Sequence, residues 1–471
     1  MSFIFYDLET SGLAPQWDVP LQAALIHADA DLNIQAELSF RARLPAHIVP
    51  SPSALLVTGV TPAMLEQAPL SVGEMLGLIN RAFTEWAPAT IVTYNGLRFD
   101  EEVLRHAFFT HLLPPYATQG PGLKRADLLV MLRAVRLLEP GAVTIPIGTN
   151  GKPSMKLGDV CRANGIVLRE EDAHDAMADT RATLALFRHL REVAPSTLAR
   201  MLENAHKSGP AALLAGDEPI LLGGMTAMMP VIGIAPSPRN AAAWAVADLS
   251  VDPSTYINGS ADEIAALLTA KGPRSIRAVR TNAQPILLGW EHGVHALPAD
   301  SLDEAIYRQR ARQIRDHAGF RKNLLLALAN QYANAEPSPW PEATLYSGGF
   351  ISDEQMRLSR RWHEIDWAQR PAFADKLFTD VRLRAFANRL MFLNAAEYLS
   401  PAAWAKGRDW LRHRLLTEDD VPWLTLSKAL GEIDALRAQT EPGDGERLRQ
   451  IAEIERWLVE RQQELAQASA A

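Results

Sequence analysis

Hydrophobic and polar positions fall into three successive patterns along the chain. In residues 1–195, short apolar runs alternate with amphipathic stretches. Phe3–Leu8 is an apolar run that ends in the turn residues Thr10, Ser11 and Gly12; Leu21–Ala28, Ala36–Arg43 and Thr90–Tyr94 are further strand candidates. Helical spacing marks Thr61–Gln67, which opens on Thr-Pro, then Val72–Thr84, Glu101–Phe109, Asp127–Leu138, Leu157–Asn164 and Asp175–Glu192. This order predicts an α/β unit around a mixed sheet.

Residues 196–338 read differently. A helical stretch over 197–208 gives way to a region rich in Gly, Pro and Met. Pro219-Ile-Leu-Leu-Gly223 and Pro285-Ile-Leu-Leu-Gly289 are identical, which predicts two strands of one β-domain in similar surroundings rather than a repeat array. Ala241–Leu249 and Ser275–Thr281 add strands, Asp262–Thr269 a helix capped by Ser260, and Arg308–Tyr332 one long basic helix. The proline-rich Glu336–Pro341 forms a semi-rigid boundary. Beyond it, residues 339–471 show helical spacing over 353–362, 371–377, 380–394, 401–416, 423–439 and 444–468, predicting an all-helical bundle. Ile451, Ile454, Leu458 and Leu465 of the last segment suit that bundle's core.

A length of 471 residues suggests about three domains. The 48% hydrophobic and 22% charged fractions exclude wholesale disorder. One cysteine, Cys161, excludes a disulfide framework and a cysteine zinc site, and it fits a reducing cytoplasm. The opening MSFIFYDLE carries no basic region, so no signal peptide is expected; no apolar run reaches about 18 residues, so no membrane span is expected. The net charge of −8, taken alone, argues against a protein that coats nucleic acid.

Four acids and a histidine carry the candidate chemistry. Asp7 and Glu9 are two apart on a strand, so they share one face at its carboxyl end. Asp100 opens a helix after a strand and a loop, where a helix cap is the ordinary explanation. Asp175 is a good cap for the next helix, which leaves His174 in the entering loop and Asp179 one turn inside. Each signal alone has such a bland account, a solvated strand end or a surface polar residue. Their conjunction, Asp-x-Glu, then Asn-x-x-x-Phe-Asp, then His-x-x-x-x-Asp on an α/β background, resembles the DEDDh exonuclease family.

The resemblance extends to bacterial exonuclease I. It is carried by Phe5-Tyr-Asp-Leu-Glu-Thr-Ser-Gly12, Thr58-Gly-Val-Thr-Pro62, Tyr94-Asn-Gly-Leu-Arg-Phe-Asp-Glu-Glu102, Arg125-Ala-Asp-Leu-Leu129, Ala163-Asn-Gly-Ile166, Ala173-His-Asp-Ala-Met-Ala-Asp179 and Leu345-Tyr-Ser-Gly-Gly-Phe-Ile-Ser-Asp353. It is dense over the first 195 residues, patchy over 197–335 and loose after 360. It implies an α/β RNase H-like exonuclease domain with a mixed sheet (1–195), an SH3-like β-containing domain (196–338) and an all-α domain (339–471). It further implies a Mg²⁺-dependent 3′→5′ exodeoxyribonuclease that degrades single-stranded DNA to 5′-mononucleotides in DNA repair and recombination. Two Mg²⁺ ions per site are expected, with Mn²⁺ as a substitute.

In that reading Asp7, Glu9 and Asp179 hold the metal that activates water, Asp7 with Asp100 the metal facing the leaving oxygen, and His174 is the general base. Glu9, Thr10, Ser11, Arg98, Phe99 and Lys156 are substrate-binding candidates. Asp127 resembles a further family acid and equally fits a helix cap, and Trp17 and Tyr116 fit base stacking or core packing. The Asp-x-Glu is followed by Thr-Ser where the family has Thr-Phe, which changes how a terminal base is held. Arg274, Arg277 and Arg280, with Arg308, Arg310, Arg312, Arg315, Arg321 and Lys322, suggest a phosphate-tracking surface. Family resemblance adds the acidic tail of single-strand DNA-binding protein as partner, with Arg277 and Arg280 as its candidate contacts, and a monomer. The alternatives are a DEDDh exonuclease acting on RNA ends or as a proofreader, and a catalytically silent single-strand DNA-binding scaffold.

Overall fold

The computed structural model describes residues 2–167, 175–272, 274–331, 336 and 338–467. The first sheet contains β1 (Ser2–Thr10), β2 (Pro20–Ala28), β3 (Ile34–Arg41), β4 (Ala89–Thr93) and β5 (Leu123–Asp127) in the order β3-β2-β1-β4-β5. β1, β2 and β3 are antiparallel neighbours, whereas β1, β4 and β5 run parallel. The sheet is thus mixed, as the alternation of apolar runs and helices predicts. The short strand β5 and the helix Pro52–Thr58 carry no periodicity strong enough to mark them in the sequence.

Alternation along β1 divides the core in two. Ile4, Tyr6 and Leu8 face the helices Val72–Glu85 and Asp100–Thr110. Phe3 and Phe5 face Leu128–Leu138 and Ala176–Val193 on the other side. Five consecutive buried residues make β4 a strand covered on both faces.

The second sheet is antiparallel and five-stranded: β6 (Ile220–Gly223), β7 (Met228–Ser237), β8 (Asn240–Asp248), β9 (Ile276–Arg280) and β10 (Leu287–Gly289), in the order β10-β6-β7-β8-β9. The two identical pentapeptides pair with each other, Leu287 opposite Leu222 and Gly289 opposite Ile220. β7 is the strand that the Gly- and Met-rich composition conceals. Its Gly233 is needed because a Cβ there would lie 2.1 Å from the Leu214 carbonyl oxygen of the helix packed across it. The expected single helix over 308–332 is two helices, Glu304–Asp316 and Ala318–Asn330. The break falls at His317, whose Nδ1 accepts the Phe320 N–H at 2.9 Å and caps the second.

The helices after residue 352 form where the spacing places them, at Asp353–Glu364, Arg370–Leu377, Val381–Asn394, Pro401–Leu416, Leu426–Gln439 and Gly445–Gln467. The region is all-helical as the spacing predicts, and its last helices also pack on the first region. Leu426, Ile433, Ile451, Ile454 and Leu458 are buried in the same core as Ile4 and Leu8 of β1. Trp457 Nε1 donates to Glu66 at 2.7 Å, and Glu432 accepts from Ser51 at 2.9 Å. Earlier helices in the region close over the helix Asp100–Thr110, with the Phe109 and Phe386 rings 4.8 Å apart, edge to face. The apolar stripes of the last two helices are therefore met largely by the first region, whereas Trp362, Phe378, Phe386 and Met391, in and beside the earlier helices, share a separate cluster. No described helix is long and apolar enough to cross a membrane.

Candidate active site

β1 runs on past its parallel neighbour. Its pairing with β4 covers Ser2–Phe5, while its pairing with β2 continues to Thr10. Asp7 and Glu9 therefore stand on strand with one edge open, on the face shared with Phe3 and Phe5. The helix Ala176–Val193 covers that face, placing Phe187 against Phe3 and Phe5 with ring centroids 5.1 and 5.5 Å apart. Asp179 precedes Phe187 by eight residues, about 12 Å along a helix. Asp7 and Glu9 follow Phe3 and Phe5 by four, about 13 Å along a strand. A helix running against the strand thus carries Asp179 to the two acids, and one oxygen from each of the three lies within 4.8 Å of the others.

Asp100 comes to the open edge from the other side. It is the first residue of its helix rather than the cap; Phe99 holds the cap position without a side-chain bond. The Asp100 carboxylate accepts the backbone N–H of Leu8, a donor that β4 would have taken had it continued. A Cβ on Gly96 would lie 2.5 Å from the Thr93 side chain and 2.9 Å from Asp100 Oδ2, so this loop requires glycine. Asp100 and Asp179 both sit in the first turn of a helix, where the peptide dipoles favour negative charge.

The electrostatics are those of crowded acids. Burial pushes the Asp7 carboxyl well above its ordinary range, and Asp100, Glu9 and Asp179 push it further. Glu9 rises to about 8, first through burial and then through Asp179, Asp100 and Asp175, with Arg41 opposing. Asp100 also rises through burial, offset by backbone hydrogen bonds. Like charges gathered this way favour the neutral forms unless a cation joins them. The donors are all carboxylate oxygens, the set that a hard divalent cation takes. Asp7, Glu9 and Asp179 fit one such ion directly, and Asp100 borders the same space.

Gln22, which the sequence reading missed, fixes the start of the Asp179 helix. It lies opposite Glu9 on β2, and its Nε2 donates to Asp175 Oδ2 at 2.7 Å while its Oε1 accepts from Arg41 at 3.1 Å. Asp175 Oδ1 caps the helix through the Met177 N–H at 3.0 Å. A lone amide within the apolar run Leu21–Ala28 was the available signal. His174, directly before this cap, lies outside the described residues.

Other candidates separate. Ser11 is fully buried; its hydroxyl donates to Asp18 at 2.7 Å and accepts the Val19 N–H, so this side chain holds the turn. Thr10 is buried and donates to the Gly12 carbonyl at 2.8 Å, again an internal bond. Trp17 packs on Trp423 with ring centroids 5.3 Å apart, which makes it core, and Tyr116 is half-buried beneath Arg105. Asp127 is a buried helix cap, accepting the N–H groups of Leu129, Asn95 and Leu97. Arg98 and Lys156 are exposed, and Phe99 is half-buried.

The arginine rows also change meaning. Arg277 and Arg280 are three apart on β9, so they point to opposite faces and form no common patch on the strand. Arg277 lies 3.8 Å from Asp248, and Arg274 donates to the Ala270 carbonyl. On Glu304–Asp316, Arg308 pairs with Glu304 and Glu218, Arg310 bonds the Leu249 and Ser250 carbonyls, and Arg315 bonds the Leu214 and Gly216 carbonyls. These side chains fasten the second sheet to its helices.

Known proteins agree with this geometry. Residues 4–187 match the model of the exonuclease family. Over 287 residues the chain is 34% identical to exodeoxyribonuclease I of Haemophilus influenzae, a match covering 57% of this chain and 59% of that one, less than two thirds of the relative. Over 439 residues it is 29% identical to exodeoxyribonuclease I of Escherichia coli, covering 88% of this chain and 89% of that one. The crystal structure of E. coli exonuclease I with a dA16 oligonucleotide superposes with a TM-score of 0.82 at 25% identity, over 98% of this chain and 99% of that one. A complex of ExoI with SSB-Ct superposes with a TM-score of 0.84 at 25% identity, over the same shares. The relatives, the fold and the open-edged acidic cluster converge: residues 4–187 match a 3′→5′ exonuclease hydrolase domain whose fold implies a divalent metal, and the chain resembles exonuclease I over nearly its whole length.

Proposed function

We propose that the protein removes 5′-mononucleotides from the 3′ end of single-stranded DNA, in DNA repair and recombination, with Mg²⁺ as its natural metal. The convergence of Asp7, Glu9 and Asp179, bordered by Asp100, on the open edge of β1 carries this reading. The oligonucleotide bound to the E. coli neighbour supports a DNA strand as substrate. The SSB-Ct complex supports the acidic tail of single-strand DNA-binding protein as a partner. Arg277 and Arg280 would then meet that tail from separate faces of β9, not as one patch. The reading places a monomer in the cytoplasm.

The reaction adds water across one phosphodiester. Water attacks the phosphorus of the terminal nucleotide's phosphate, and the bond to the O3′ of the preceding residue breaks. The shortened strand keeps a 3′-hydroxyl, and the released nucleotide keeps a 5′-phosphate. Two divalent ions, when bound, supply positive charge for the attacking and leaving oxygens. Asp7, Glu9 and Asp179 would hold one ion, and Asp7 with Asp100 the other. His174 is assigned as the general base that takes the proton from the attacking water, a task suited to an imidazole near neutral pH. Arg98 and Lys156, both exposed, are assigned to phosphates, and Phe99 to the terminal nucleotide.

The test is digestion of end-labelled single-stranded DNA, duplex DNA and RNA, with Mg²⁺, Mn²⁺ or EDTA. Mg²⁺-dependent loss of the single strand from its 3′ end is expected, with no loss for Asp7→Ala. Faster loss of RNA would favour an RNA-end exonuclease. Binding without cleavage in any metal would leave only a silent scaffold.

A further inference from the structure

Between β9 and β10 the chain turns through Thr281, Asn282, Ala283 and Gln284, and it makes this turn against the first domain. Gln284 is 1% exposed and has φ 48° and ψ 57°, a left-handed conformation that a residue with a side chain adopts at a cost. Its amide group is bonded at both ends. Oε1 accepts the backbone N–H of Asp127 at 2.6 Å, and Nε2 donates to the Met201 carbonyl at 2.9 Å. The turn is anchored on either side. Thr281 donates to the Ala242 carbonyl on β8 at 3.1 Å, and Asn204 donates to the Pro285 and Leu287 carbonyls at 3.0 and 2.8 Å.

Two routes lead from this turn to Asp100. Gln284 holds Asp127, whose carboxylate accepts the N–H groups of Asn95 at 2.9 Å and Leu97 at 3.3 Å, in the loop before Asp100. That loop needs holding, since Asn95 has φ 64°. The Asn282 carbonyl accepts from Arg125 at 3.2 Å, and the same guanidinium donates to Glu101, the residue after Asp100. Asp100 is thus bracketed in sequence by two paths that start two residues apart in another domain.

We propose that the Thr281–Gln284 turn positions the Asp100 carboxylate, with Gln284 as its main positioning residue. Two domains glued for stability alone would not require contacts that end on the backbone amides of this one loop. A carboxylate that helps to hold an ion must be placed to within about half an ångström, and outer partners of such ligands commonly matter 10–100-fold. The inference rests on Asp100 belonging to the reaction site.

The test uses full-length Gln284→Gly, because glycine accepts the left-handed φ while losing both side-chain bonds. Hydrogen exchange over residues 94–101 is expected to quicken about tenfold while β1 peptides stay slow. Mn²⁺ binding, followed by electron paramagnetic resonance without DNA, should weaken about tenfold, and kcat should fall about 10–100-fold with KM for the strand little changed. Gln284→Asn, too short to bridge both partners, should move every readout the same way by less, and it serves if the glycine variant does not fold. Wild-type exchange over 94–101 with wild-type Mn²⁺ affinity would overturn the proposal. So would exchange raised evenly across the chain, which would mark plain structural adhesion. Near-normal cleavage by Asp100→Asn would remove the site assignment while leaving the exchange result to be judged separately.

Discussion

Asp100 and Glu101 are consecutive, both buried, and their surroundings treat them oppositely. Glu101 receives the guanidinium groups of Arg105 and Arg125 and the hydroxyl of Thr118. Asp100 receives backbone N–H groups and feels Asp7, Glu9 and Asp127, which are acids like itself. A buried carboxylate ringed by donors holds a fold together. A buried carboxylate set among other carboxylates costs stability and makes sense only with a cation. One peptide bond separates the acid paired with cations from the acid crowded by carboxylates.

The comparison is easiest to break at Asp7. Asp7→Asn should lower the exonuclease rate by about 10³-fold or more, a loss of about 4 kcal/mol of transition-state stabilisation. In EDTA the same variant should melt at a higher temperature than the parent, because the amide needs no proton to stay neutral where burial and the neighbouring acids hold the Asp7 carboxyl protonated against its ordinary acidity. A lower melting temperature would show that the cluster stabilises itself and would erase the contrast with Glu101. At Glu101 the signs reverse. Glu101→Ala takes the shared carboxylate from buried Arg105 and half-buried Arg125 and should reduce stability in urea by about 3 kcal/mol. A loss under about 1 kcal/mol would class that network with surface ion pairs.

A smaller effect concerns buried groups kept neutral. His47, His106, His111 and His363 lie where the carboxyl-terminal helices meet the first region. The His363 ring nitrogen is 2.9 Å from the His111 carbonyl, and the His47 ring packs 5.3 Å from that of Trp410. Burial lowers all four, His111 to about 4 and His47 well below its ordinary value. A folded-state value below the unfolded one means that the unfolded chain binds more protons in acid. Stability from these groups is present above pH 6.5 and is lost as the pH falls from there towards 4, at up to about 1.4 kcal/mol per unit per histidine. Urea midpoints between pH 7 and 5 should show this loss, and His111→Gln should flatten it. An unchanged profile in that variant would show that His111 is not among the groups responsible.

Much of this was legible in the chain, for physical reasons that also mark where legibility stops. Period-two alternation puts Asp7 and Glu9 on one face without any knowledge of neighbours, and a cap at Asp175 puts Asp179 in a first turn. Both inferences are local. Gln22 and Gln284 act across 153 and 157 residues, and their partners exist only once strand register and domain docking are set. The arginines show a related limit. Charge density is visible in a sequence, but whether Arg310 or Arg315 meets a phosphate or a backbone carbonyl depends on what lies opposite. The apolar stripe of Ile451, Ile454 and Leu458 was correctly seen as buried, yet nothing in its spacing names what buries it.

The position of those three side chains bears on how the protein is made. The core beneath β1 is closed in part by a helix that the ribosome delivers about 270 residues after Phe187. At about 5–20 residues per second, the nascent first domain waits roughly 15–50 s with that face of its core uncovered. Its final packing is a late event of synthesis, and shortening the chain at its carboxyl end would be felt first at its beginning.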